Sequence, residues 1–262
     1  MHEQLAAIYH KALTLIAIRA WRPPVAAFIA GLILRLLGRA HARLAGGLAV
    51  LAGWIALTWP APIWPASPVG RLPGLALLLI GYGFVAPRLG RGAIPLFAAA
   101  AAWWLRGAPL GGSELAGIMP VFLGLLVALV VVRRIAAQDA GWTSIAAAAS
   151  LAASIFLAGG AMHWARAALV PASAGLALLG LSEAVAPLQL ATVLVAAAAI
   201  TASDRGRFIP IDAAAAAPLL VWFLAPRLQP RLNQAGPALA GAVAGLCGIA
   251  IVWGSIELLA HR

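Results

Sequence analysis

Nine stretches of this chain contain no Asp, Glu, Lys or Arg: residues 44–70, 72–87, 92–105, 115–132, 140–162, 167–182, 184–203, 213–226 and 232–256. They run from 14 to 27 residues. A helix that crosses a bilayer needs about 20 apolar residues, with a range of about 17–25. The shorter windows come close to that length because flanking arginines can bury their stems and keep their heads in water. Local thinning of the bilayer closes the rest of the gap.

Composition agrees with the windows. The chain of 262 residues is 64% hydrophobic and 10% charged, with a mean hydropathy of +1.00. An ordinary soluble domain is about 45–50% apolar and about 25% charged. A chain of this size must leave a large surface exposed, and too few polar residues exist to cover it. The expectation is an all-α, polytopic transmembrane bundle in which lipid is the solvent.

The windows are continuously apolar rather than alternating, and they are too long for the roughly 10-residue strands of a membrane barrel. Their filling is Ala and Leu, which favour helix. In hydrocarbon a helix satisfies its own backbone hydrogen bonds. Spans are expected near 24–38, 44–60, 72–87, 93–106, 115–132, 142–161, 166–182, 187–203, 210–226 and 236–258. Residues 4–21 are read as an N-terminal helix that either crosses the membrane or lies on it. The count is therefore about ten, within 9–11, the short windows at 93–106 and 210–226 setting the lower bound. The whole of 1–262 reads as one integral membrane domain.

Punctuation supports the breaks. Trp21-Arg22-Pro23-Pro24 separates the first helix from the second, and Pro is well tolerated at a helix start. Residues 60–70 hold four prolines and Trp64, an interfacial turn by composition. Trp103, Trp104 and Trp142 fall at window ends, where membrane proteins concentrate aromatic residues. No removable signal peptide is expected, because no small-residue cleavage site precedes Trp21.

A net charge of +11 would point to nucleic acid in a soluble protein, but here it does not. Of the 18 basic residues, all but Lys11 are Arg, and they fall singly or in pairs between windows. Such spacing suits helix ends facing phospholipid headgroups. The loops at 38–43, 87–92, 133–141 and 226–235 hold eight arginines and fall on one side by alternation. The positive-inside rule makes that side cytoplasmic. The Arg and Ala excess suggests a GC-rich bacterial genome, and hence the inner membrane of a bacterium.

The polar loop at 133–141 divides the chain into 24–132 and 142–258, each with five expected spans. An odd count per half gives the halves opposite topology, as in transporters built from inverted repeats. In span number and opposed halves the chain resembles the architecture of the drug/metabolite transporter superfamily. The likeness is one of architecture, carries no sequence motif, and implies a carrier.

Ionisable groups at a bilayer centre cost about 2.5–3.5 kcal/mol on insertion scales. None of the seven acids falls clearly at a midplane, so each reads first as an interface anchor or helix cap. Two clusters stand out. His163 and Arg166 share a helix face at i, i+3 spacing, and with Glu183 they form a candidate polar pocket: a proton shuttle beside an anion holder. Asp204, Arg205, Arg207 and Asp212 form a candidate contact for a lipid headgroup or anion. Both compete with the plainer reading of interfacial loops.

Other motifs fail on context. Gly81-Tyr82-Gly83 is similar to a potassium filter, but Leu78, Leu79 and Ile80 stand where the filter has threonines. Asp212 and its neighbours lack the second motif of prepilin peptidases. Gly180-Leu181-Ser182-Glu183-Ala184 is not a nucleophile elbow. The five histidines lie far apart, and the single Cys247 excludes an intrachain disulfide and reads as a buried small residue. No catalytic residue, metal site or cofactor is expected.

Three functions follow, in order of preference. The first is a carrier for a small solute or lipid. The second is a non-catalytic subunit of a larger complex, or a homo-oligomer, since intramembrane polar groups are nearly absent. The third is an enzyme acting on a lipid-linked substrate. Membrane lipids are the expected partners and nucleic acid is not. A cavity would favour the carrier, a small-residue face the subunit, and an interfacial cleft gathering His163, Arg166 and an acid the enzyme.

Overall fold

The computed structural model describes residues 21–37, 42–60, 67–109, 111, 116–136, 141–157, 162–203, 214–233 and 235–260. The N-terminal segment 4–20 and the residues 137–140 of the central loop lie outside them. Among the described residues all regular structure is helical, in ten helices of three turns or more. They are α1 (21–36), α2 (Ala42–Thr58), α3 (Leu72–Leu89), α4 (Ala93–Leu105), α5 (Met119–Ala136), α6 (Trp142–Leu157), α7 (Met162–Ala177), α8 (Ser182–Ser203), α9 (Ala217–Leu232) and α10 (Ala235–Ala260).

Ala and Leu explain why these segments are helices, and Gly or a proline-rich turn explains most ends. Gly90, Gly107, Gly141 and Gly180 all sit at positive φ between helices. There a Cβ would be strained, and Gly releases the chain from the helix.

α8 is the axis of the bundle. It packs on α2, α3, α4, α5, α6 and α7, and 78% of its apolar window is buried. α3, its counterpart if the halves were equivalent, is only 39% buried over its window. The two five-helix halves therefore pack unequally. Contacts fix the directions of the helices. Gly175, late in α7, faces Ile145, early in α6. Gly241 and Gly248 of α10 follow Ala146 and Ser154 of α6. Gly74 at the start of α3 meets Trp104 at the end of α4. Helices joined by short connections thus run antiparallel, and the bundle has two ends.

At one end lie Arg35, Arg88, Arg227 and Arg231, together with Arg133 and Arg134 in the last turn of α5. At the other lie Arg22, Arg71, Arg106 and Arg166. The core is mostly apolar, built around Trp54, Leu75, Leu151, Leu194 and Trp222, with Ser154, Gln189 and Thr192 buried among them. Small residues let helices approach closely. A Cβ at Gly53 would stand 2.6 Å from Val170 and 2.9 Å from Ala27, which locks α1, α2 and α7 together. Trp54 beside it donates its indole N–H to the Ala167 carbonyl at 3.1 Å.

By length and composition alone, two helices among the described residues are long and apolar enough to cross a membrane, Val69–Leu89 and Ser182–Ala202. Five more apolar helices are shorter, among them Leu44–Thr58 and Trp142–Leu157. The expected spans do not each meet that length. At about 1.5 Å per residue, a 16-residue helix covers about 24 Å against a hydrocarbon core of about 30 Å. The exterior is nonetheless apolar, with Leu36, Leu96, Val127 and Leu246 each more than half exposed.

Helix bounds differ from the sequence expectation in several places, among them α8, which begins at Ser182 rather than near 187. The window 210–226 gives a helix at Ala217–Leu232, which continues through Pro226, Arg227, Pro230 and Arg231. The Arg227 guanidinium lies 3.5 Å above the Phe223 ring, so a cation ends the charge-free window without ending the helix. The window 166–182 gives Met162–Ala177, because the Gly180 turn stops the chain early. α5 runs past Val132 to Ala136. Cys247, expected to be buried, is exposed; an apolar window does not say which face of its helix looks outward.

Candidate functional site

Three helical stripes leave a cavity between α5, α8 and α9. On and just before α5 the stripe is Gly117, Pro120, Val121, Gly124, Leu125 and Ala128. On α8 it is Val193, Ala196, Ala197, Ile200 and Thr201. Before and on α9 it is Ala215, Pro218, Leu219 and Trp222. Each follows i, i+3, i+4, i+7 spacing, one face of a helix. Gly and Ala at the central positions withhold the side chains that would fill the gap. α5 packs on α8 here, whereas α9 packs on α6 and α10 and closely on neither α5 nor α8, and the cavity measures about 520 Å³.

Among the described residues the lining is apolar except for Arg106, Thr201 and Trp222. The Thr201 hydroxyl is turned onto its own helix, donating to the Ala198 carbonyl at 3.1 Å. Trp222 is 2% exposed, and its indole nitrogen has no hydrogen-bond partner. Buried N–H groups are nearly always satisfied, so this donor beside a cavity is the most unusual polar atom in the region.

Arg106 closes one end. It follows α4 in a tight turn in which its N–H donates to the Ala102 carbonyl and that of Gly107 to the Trp104 carbonyl. The start of α3 braces this turn. Arg71 Nη1 donates to the Leu105 carbonyl at 2.5 Å, and Trp104 Nε1 to the Arg71 carbonyl at 2.8 Å. Gly74 makes room for the Trp104 indole, since a Cβ there would stand 2.4 Å from the ring. The Arg106 guanidinium then reaches across Gly117 at the head of α5.

The sequence-derived pocket is not gathered in one place. His163 and Arg166 share the start of α7, both half-buried, and the imidazole lies 5.2 Å from the Trp164 ring at a tilt of 52°. Glu183 opens α8, exposed, beyond the opposite end of α7. About 20 Å of helix separates it from His163 at about 1.5 Å per residue. Asp204, Arg205, Arg207 and Asp212 lie outside the described residues. Gly81-Tyr82-Gly83 is plain helix inside α3, with Tyr82 4.9 Å from the Phe97 ring. Among the described residues no three His, Cys, Asp or Glu side chains group as metal ligands do.

Arg106, Gly117, Gly124 and Trp222 were not singled out from sequence. Their signal is the seven-residue recurrence of Gly117 and Gly124 opposite the Ala run of α8, which is visible only once the two helices are known to face each other.

A second, shallower groove lies on the outside between α6 and α10. Ala146, Ala149, Ser150, Gly241 and Gly245 are among its lining residues. Ser150 is 4% exposed and its hydroxyl has no partner.

No protein-family model, no curated protein and no solved structure matches this chain.

Proposed function

We propose that this chain is a multi-pass protein of a bacterial inner membrane that carries a small solute or a lipid, with the cavity between α5, α8 and α9 as its site. The cavity is the observation that carries the reading. It lies against the most buried helix of the bundle, is lined by small apolar residues, and has a cation at one end. Ligand sites of this size are typically apolar with a few placed polar groups.

A lipid environment is supported by the exterior. Water-soluble monomers rarely expose large contiguous apolar patches, whereas Leu36, Leu96, Leu123, Val127, Phe223 and Leu246 face outward from five different helices. Arginines at both ends of the bundle fit headgroup layers, with the excess on the end expected to be cytoplasmic.

The second reading is a subunit of a larger membrane complex. The groove between α6 and α10 favours it, because small residues and an unpartnered Ser150 hydroxyl suit a docked helix. The enzyme reading loses one of its two supports with the separation of Glu183 from His163 and Arg166; the other, Asp204 to Asp212, lies outside the described residues.

Reconstituted vesicles test the carrier. Transbilayer movement of fluorescent phospholipids and of small apolar solutes is followed for the parent and for Gly124→Leu. Nothing lies within 4 Å of a Cβ at Gly124, so the new side chain enters the cavity rather than the core. Movement that depends on the parent and is lost in Gly124→Leu supports the carrier. Equal rates in parent, variant and protein-free vesicles contradict it.

A further inference from the structure

We infer that the cavity holds one acyl chain of an anionic lipid, drawn from the leaflet at the Arg106 end, with the headgroup phosphate on the Arg106 guanidinium. The inference deepens the carrier reading and rests on it for the membrane setting.

Depth is the first argument. Gly117 to Ala128 spans eleven residues, or about 16 Å at about 1.5 Å per residue. The hydrocarbon core is about 30 Å thick. The cavity thus runs from one end of the bundle to about its middle, the depth of a single leaflet. A solute crossing in one step would need a path through both.

Chemistry along that depth is the second. The walls from Val121 to Ala128 and from Val193 to Ile200 offer no polar side chain, which suits a hydrocarbon tail. Arg106 and Thr201 sit nearer the mouth. Arg106 lies at the opening, with Arg71 behind it on the same end of the bundle. Guanidinium binds phosphate through paired, charge-assisted hydrogen bonds.

The test is lipid retention by the purified full chain. The protein in mild detergent is equilibrated with equal amounts of phosphatidylglycerol and phosphatidylcholine bearing the same chains, and bound lipid is read by native mass spectrometry. The parent is expected to keep one phosphatidylglycerol in preference to phosphatidylcholine. Arg106→Gln is expected to lower that preference about tenfold, the scale of a charge-assisted hydrogen bond. Gly124→Leu, and Ala197→Leu as a second cavity-filling variant, are expected to lose both lipids. Gly81→Leu also points into open space but lies away from the cavity, and Arg22→Gln removes a cation at the same end; both should match the parent. Equal retention of the two lipids by the parent overturns the inference, as does an unchanged preference in Arg106→Gln. Retention that survives both cavity-filling variants overturns it too. Loss of headgroup preference with transport still blocked by Gly124→Leu sinks this inference and leaves the carrier reading standing.

Discussion

The Arg106 guanidinium lies across Gly117, with Nη2 2.9 Å from where a Cβ on that residue would stand. A residue at the end of α4 is thereby aimed over the head of α5, into the mouth of a cavity floored by α8. Gly117→Ala tests whether that aim matters. The atom it would meet is the far end of a flexible side chain, so the guanidinium can swing aside. Stability should change by less than about 1 kcal/mol, as for most substitutions outside the core. Retention of phosphatidylglycerol should fall several-fold, as measured by native mass spectrometry. Unchanged retention would mean that the position of Arg106 is unimportant.

The brace under Arg106 should be felt in stability. Trp104→Phe removes the indole N–H that reaches the Arg71 carbonyl at 2.8 Å, and should cost about 1 kcal/mol. Gly74→Ala presses a methyl group into the Trp104 ring, and should cost about 1–3 kcal/mol as overpacking does. Thermal unfolding in detergent reads both, and the two effects should be less than additive because they act on one contact.

Glycines separate into packing and open positions. Gly53→Ala forces Val170 and Ala27 apart and should destabilise by about 1–3 kcal/mol. Gly81→Ala meets nothing within 4 Å, and should be neutral or slightly stabilising, since Ala is the better helix former. A matched pair of melting curves distinguishes them; equal shifts would argue against the α1, α2 and α7 crossing.

Much of the helical order was legible, because charge-free windows and Gly or Pro breaks follow directly from sequence. Ala93–Leu105 and Leu72–Leu89 fall within two residues of the windows read for them. Ends were misplaced where arginine continues a helix, as at Arg133 and Arg227. Charge reports depth in a bilayer, whereas a helix is propagated by backbone hydrogen bonds that arginine does not interrupt. The site was not legible. His163, Arg166 and Glu183 are near in sequence and polar, but α7 runs between them. Arg106, Gly124 and Trp222 are far apart in sequence, and only the placement of α9 across a cavity from α5 and α8 brings them together. The centrality of α8 was equally hidden, since its composition differs little from that of helices on the outside.

The reading depends most on helices that cross a bilayer with alternating direction. Single cysteines placed in a Cys247→Ala background at Gly90, Gly180, Gly107 and Arg166 test this in intact inner-membrane vesicles of known orientation. A membrane-impermeant maleimide should label residues 90 and 180 from the cytoplasmic face, and residues 107 and 166 only from the opposite face. Labelling of all four from one face, or release of the folded chain into buffer without detergent, would contradict the transmembrane bundle.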